Sequence, residues 1–271
     1  KTYEEILTDL TLLRRLTTRI RILSLRDCGQ AALVLTVARQ VGLQVWLGLW
    51  VAPEDFVFDE EVDELRHMLD NGLLDPSMVL GVTGGSEAIY RGDATVDQMI
   101  SHLHRVTTLV HEAGYSNLPT SIVDIAPVYA TNAELRQAVN VTMTNTFPFW
   151  EGIAVEAAVD DLQDDLEWIR KLPESAGKPF VLGETGWPSD GFLPGVGVAG
   201  TDEQLHYFSE AYCRLHVEND WAYFWFTGID NAWRQEQDPL NTIEGNWGFF
   251  TADLVLKEHF REYSFTCPTN G

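Results

Sequence analysis

Two glutamates stand where a carboxylate is hard to explain as packing. Glu184 lies in Phe180-Val181-Leu182-Gly183-Glu184-Thr185-Gly186-Trp187-Pro188-Ser189, which reads as a short buried strand running into a tight bend. Glu87 follows a second apolar run, Val79 to Val82, through Gly84-Gly85-Ser86. A carboxylate at the end of an apolar strand must pair, take up a proton or face a ligand, because an isolated buried ion is too costly. Two carboxyls whose surroundings push their pKa values apart can divide the work, one as acid and one as nucleophile or base. Paired in that way across a glycosidic bond, they are the minimum machinery for its cleavage. Aromatic residues gather at the same kind of position. Tyr129, Phe147, Phe149, Trp150, Trp187, Trp225, Trp233 and Trp247 all follow apolar runs. Any one of them is more often core; together they suggest stacking faces for sugar rings.

The elements that must position these residues alternate. Strand patterns cover 19–25, 44–49, 79–82, 121–126, 141–145, the run ending at Glu184, and 222–226. Helical patterns cover 29–41, 59–69, 95–114, 133–139, 155–172 and 201–219, and one precedes the first strand. Thr2 with Glu5, and Thr95 with Gln98, have capping-box spacing. Such alternation means a parallel sheet covered by helices. No Gly-x-Gly-x-x-Gly follows the early strands, which favours a (β/α)8 TIM barrel over a doubly wound sheet. A closed barrel needs eight strands, and the patterns supply seven after an opening helix. The expectation is one catalytic barrel domain over 1–271, with the first barrel strand upstream of Lys1. Counted that way, Glu87 ends the fourth strand and Glu184 the seventh. Chemistry in this fold sits at those ends.

Composition narrows the partners. Of 271 residues, 41 are acidic and 18 basic, a formal charge of −23 that excludes nucleic acid and anionic membrane faces. No apolar run is long enough for a membrane span. Cys28, Cys213 and Cys267 allow one disulfide, with the pair open, and no two of them have zinc-ligand spacing. His102-Leu103-His104 would suggest a metal-dependent hydrolase, but helix residues two apart face different ways and cannot share an ion. The acidic runs 59–64 and 160–165 lack a calcium-loop glycine and read as solvated helix starts. No metal and no cofactor is expected. Asn140-Val141-Thr142 is a glycosylation sequon that runs into an apolar strand, which argues against its use.

The segment Gly183-Glu184-Thr185-Gly186-Trp187-Pro188-Ser189 resembles the nucleophile motif of glycoside hydrolase family 17, and Gly85-Ser86-Glu87-Ala88-Ile89-Tyr90-Arg91 resembles its acid/base motif. Arg21, Asp27-Cys28 and the segment Tyr223-Phe224-Trp225-Phe226 with Asp230, Trp233, Glu244 and Trp247-Gly248 extend the likeness from about residue 19 to 250. It is nearest to the fungal cell-wall branch of β-1,3-glucanases and glucanosyltransferases. The resemblance implies a retaining reaction, with Glu184 as nucleophile and Glu87 as acid/base. It implies substrate contacts from Ser86, Tyr129, Asn145, Phe149, Trp150, Trp187, Trp225, Asp230, Trp233 and Glu244. It also implies β-1,3-glucan oligosaccharides or cell-wall glucan as substrate, and a secreted or cell-wall monomer. The chain departs from the family pattern at Ser86, where Asn is usual, and at Thr227, Asn231 and Arg234, which replace two glutamates and a lysine. Transfer to a sugar acceptor with some hydrolysis is the expected outcome, ahead of a mainly hydrolytic endo-glucanase. A non-catalytic glucan-binding barrel would normally lose a carboxylate, and both are present.

Overall fold

The computed structural model describes residues 1–237 and 241–267. The chain forms two compact bodies, one of Lys1–Thr144 with Arg170–Phe180, the other of Asn145–Ile169 with the chain from Val181 onward.

The first body begins with α1 (Tyr3–Leu13), β1 (Arg19–Arg21), α2 (Ala31–Val41), β2 (Gln44–Leu49) and α3 (Asp55–Asp70). It continues with β3 (Val79–Ser86), α4 (Val96–Glu112), β4 (Thr120–Ile125), α5 (Ala126–Thr131) and α6 (Ala133–Ala138). Strand β5 (Thr142–Asn145) reaches its boundary. β1–β2, β2–β3 and β3–β4 pair in parallel, with Ile20 opposite Val45, Leu47 opposite Val82 and Ser86 opposite Val123. β2 is buried along almost its whole length, as expected of a parallel strand covered on both faces. Both predicted capping boxes form, Thr2 with Glu5 and Thr95 with Gln98. Gly42 closes α2 in the left-handed conformation, φ 77°.

The second body contains most of α7 (Val155–Lys171), then β6 (Phe180–Thr185), α8 (Thr201–Ala211), β7 (Ala222–Trp225), α9 (Ala232–Gln237) and α10 (Glu258–Arg261). β6 and β7 pair in parallel, Leu182 opposite Tyr223 and Thr185 opposite Trp225. A disulfide joins Cys213 to Cys267, and the third cysteine, Cys28, is exposed and free.

Several boundaries differ from the expectation. The first strand stops at Arg21. The Ile22 amide still bonds the Trp46 carbonyl of β2 at 3.0 Å, and from Leu25 to Asp27 side chains take the amides. Ser24 Oγ accepts from Arg26 and Asp27, and Glu61 accepts from Leu25 at 2.8 Å. Glu61 is therefore a buried carboxylate rather than part of a solvated face, and burial raises its pKa. α3 starts four residues before Asp59, which lets Phe58 join Val62, Leu65 and Leu69 on its buried face. The helix predicted over 201–219 changes to a wider π-type winding at Tyr212–Glu218. Of the paired histidines, His102 stacks on Phe58 at 3.8 Å while His104 is exposed. Among the described residues no helix is long and apolar enough to cross a membrane, and no cluster of metal ligands forms.

Candidate active site

In the first body the site grows from the end of β3. Gly85 has φ 121°, and a Cβ there would collide with Met99. This glycine lets the strand turn sharply into Ser86 and Glu87. Ser86 is buried, and its Oγ accepts a bond from Arg21 Nη2 at 3.0 Å. A hydroxyl thus holds the arginine where the family more often has an amide. Glu87 is half-buried and carries a left-handed backbone, φ 55°. Its amide donates to the Val123 carbonyl at 2.8 Å, and its own carbonyl accepts from Arg91 at 2.9 Å.

Arg91 ties this turn down. Its Nη1 donates to the Ser86 carbonyl at 2.7 Å, its Nη2 to the Val51 carbonyl at 3.2 Å, and its Nε to Asp93 at 2.7 Å. The guanidinium lies 4.4 Å over the ring of Trp50.

A third carboxyl stands beside the turn. Asp124, at the end of β4, has no exposed surface. Oδ2 accepts the Ile89 amide at 3.0 Å and Oδ1 its neighbour Ile125 at 2.9 Å. Burial pushes its pKa up to about 6, against the pull of these amides, and the charge of Glu87 adds to the rise. The signal that marks Glu184, a lone carboxylate in an apolar strand, also marks Asp124 in Ser121-Ile122-Val123-Asp124-Ile125-Ala126. Sequence reasoning did not apply it there.

In the second body Glu184 is the penultimate residue of β6 and is half-buried. Its carbonyl accepts the Thr146 amide at 3.0 Å, which fixes it beside the segment that begins at Asn145, itself buried. Thr185 shares a 2.6 Å bond with the Tyr207 hydroxyl. A Cβ at Gly186 would strike the Phe226 carbonyl, so the close approach of β6 and β7 at this level requires glycine.

The predicted aromatics separate into two groups. Tyr129, Phe149 and Trp187 have no exposed surface and so offer no ring face to a sugar, contrary to expectation. Tyr129 lies on α5 and its hydroxyl donates to Ile122 at 2.5 Å. Phe149 is enclosed edge-to-face by Trp150, Trp187 and Trp247 at 5.2–5.4 Å. Trp187 bonds the Val198 carbonyl at 2.9 Å and packs on Tyr207. Phe149 and Trp187 thus pack inside the body that carries β6. Trp150, Trp225 and Trp233 keep accessible surface; Trp233 is 53% exposed.

Asp230 also departs from the expected substrate contact. It pairs with the buried Lys257 at 2.9 Å and accepts the Gly248 amide at 2.7 Å. Burial raises its pKa even so, with the lysine opposing. Lys257 donates as well to Ser189 Oγ at 2.7 Å and to the Asn246 carbonyl at 3.1 Å, and so secures the end of the Glu184 motif. Glu244 receives Arg234 at 2.9 Å, and that guanidinium lies over Trp233 at 5.4 Å.

A family model, the BtgE/BtgC glycoside hydrolase domain, matches residues 1–248. A glucan 1,3-beta-glucosidase of Arthroderma benhamiae is 30% identical over 89% of this chain and 79% of its own. A probable glucan endo-1,3-beta-glucosidase of Aspergillus terreus is 28% identical over 92% of this chain and 40% of its own. The crystal structure of a glycoside hydrolase family 17 beta-1,3-glucanosyltransferase from Rhizomucor miehei superposes with TM-score 0.84 at 28% identity, over 96% of this chain and 91% of that one. An active-site mutant of the same enzyme, in complex with laminaritriose, superposes equally well. The fold is therefore the expected (β/α)8 barrel type. The chain belongs to the BtgE/BtgC glycoside hydrolase domain family and is an enzyme of the glycosidase and transglycosylase kind.

Proposed function

We propose that this chain is a retaining β-1,3-glucan enzyme that transfers a cleaved glucan to a sugar acceptor, with some hydrolysis, and acts as one catalytic domain. The observation that carries the reading is a carboxylate at each of two strand ends, Glu87 and Glu184, in a chain that matches a laminaritriose-bound glucanosyltransferase along nearly its whole length. Glu184 attacks the anomeric carbon as the glycosidic C–O bond breaks, and the Glu87 proton passes to the leaving oxygen. An acceptor hydroxyl then displaces Glu184, and its proton returns to Glu87. If water takes that place, the outcome is hydrolysis. Retention calls for carboxyl groups about 5–5.5 Å apart.

Ser86, Asn145, Trp150, Trp225, Trp233 and Glu244 are the side chains proposed to meet the glucan. The charge of −23 suits a neutral polymer. The Cys213–Cys267 disulfide suits an oxidising, extracellular setting such as a cell wall. The names of the curated relatives favour a second reading, an enzyme that mainly hydrolyses.

Product analysis on short β-1,3-glucans separates the two. Products longer than the substrate establish transfer, whereas shorter ones alone refute it and leave hydrolysis. Glu184→Gln and Glu87→Gln must each abolish turnover of these glucans with the fold intact, and substantial activity in either removes the assignment.

A further inference from the structure

Asp124 is a buried carboxyl to which the proposed chemistry gives no work. Strand β4 holds the Glu87 segment at two successive points. The Val123 carbonyl takes the Glu87 amide at 2.8 Å, and the next residue, Asp124, takes the Ile89 amide at 3.0 Å. Between these points Glu87 sits at φ 55°, a conformation that residues with a Cβ rarely keep unless their surroundings impose it. The turn closes through Arg91 N to the Glu87 carbonyl at 2.9 Å and Gly92 N to the Ile89 carbonyl at 3.0 Å. A carboxyl with no exposed surface, spent on backbone amides next to Glu87, is a built support and not a solvated surface group.

We propose that Asp124 is a positioning residue for Glu87: by accepting the amide of Ile89, it holds the turn that aims Glu87 at the leaving oxygen. This rests on the reading of Glu87 as the acid/base. The electrostatic influence of Glu87 on Asp124 is consistent with the closeness of the two groups.

Asp124→Asn keeps the size of the side chain, but leaves one acceptor oxygen and sets an NH2 against amide donors. The measurement compares a β-1,3-glucan oligosaccharide with a dinitrophenyl β-laminaribioside, whose leaving group departs with little help from an acid. On the oligosaccharide kcat falls about 10- to 100-fold with KM changed less than about 2-fold, as expected when general-acid geometry is lost. On the aryl glycoside kcat/KM falls less than about 3-fold. Equal losses on both substrates, or no loss on the oligosaccharide, overturn the proposal.

Glu87→Gln is measured beside it. If that variant still turns over the oligosaccharide, the acid/base reading fails and this proposal falls with it. If it is inactive while Asp124→Asn harms both substrates alike, the positioning role alone fails. A measurement on the unaltered protein covers the case in which Asp124→Asn does not fold. The Ile89 amide then exchanges with deuterium as slowly as those of the buried strands, and exchange at open-loop rates refutes the clamp.

Discussion

Replacing Lys257 by methionine removes one charge from a pair whose side chains are only 8% and 10% exposed, and leaves Asp230 behind. Methionine fills much of the space of the lysine stem, so the loss is electrostatic more than steric. Three bonds disappear, to Asp230 at 2.9 Å, Ser189 at 2.7 Å and Asn246 at 3.1 Å. Asp230 keeps one partner, the Gly248 amide at 2.7 Å. Breaking a buried pair from one side costs about 3–5 kcal/mol, because the remaining charge stays desolvated. At roughly 2–4 °C per kcal/mol for a chain of this size, thermal unfolding monitored by circular dichroism at neutral pH should show a drop of about 6–20 °C. The sign of the pH dependence follows from Asp230. Burial raises its pKa with the lysine present, and removing the lysine raises it further. Its neutral form is thus the comfortable one in the variant, and the deficit must shrink as the pH falls and Asp230 takes up a proton. Adding Asp230→Asn should recover roughly half of the loss at neutral pH, for the same reason. A melting temperature within about 2 °C of the unaltered protein would refute the reasoning, as would a deficit that the second substitution leaves undiminished.

Asp124 should leave its mark on stability as well as on activity. Its pKa is raised from 3.8 to about 6, so its contribution to stability is fully present below about 3.8 and is lost as the pH rises through about 6. That interval is worth about 3 kcal/mol. In melting curves from below about pH 3.8 to neutral pH, the unaltered protein should lose about 6–12 °C that Asp124→Asn does not lose, and a constant offset between them would rule out Asp124 titration as the cause. Cys213 and Cys267 close a loop of 54 residues. By the chain-entropy relation, Cys213→Ser should cost about 4 kcal/mol, and reduction of the unaltered protein should lower its melting temperature by about 8–16 °C.

How much of the fold and the site is legible in the residues depends on how local the signal is. Parallel strands buried on both faces leave nearly unbroken apolar runs, so β2 is found to the residue and β3 and β6 are located along with the carboxylates at their ends. Capping boxes span three residues, and both are readable. α5 escapes because it is only six residues long and has Pro127 in its first turn, where proline suits a helix but also reads as a loop. Tyr129 goes astray with it. The aromatics cannot be sorted because ring type does not say which side of a wall a ring stands on. Phe149 and Trp150 are neighbours in the chain, yet the first is fully enclosed and the second partly open. The pairing of Asp230 with Lys257 joins residues 27 apart, and no spacing rule announces it. Asp124 is readable in principle; its isolation in an apolar strand is the same clue that singles out Glu184.

The anchoring of Arg91 has a consequence for how this site can change. Two of its acceptors, at Val51 and Ser86, are main-chain carbonyls, and every residue type supplies those. Residue identity at either position can therefore drift while the contact survives. The number of residues before each carbonyl cannot, since one insertion or deletion between Leu49 and Val51 would carry an acceptor out of reach. The stretch after β2 is thus tolerant of substitution and intolerant of length change. A loop exchanged between relatives should be judged there by its residue count before its composition.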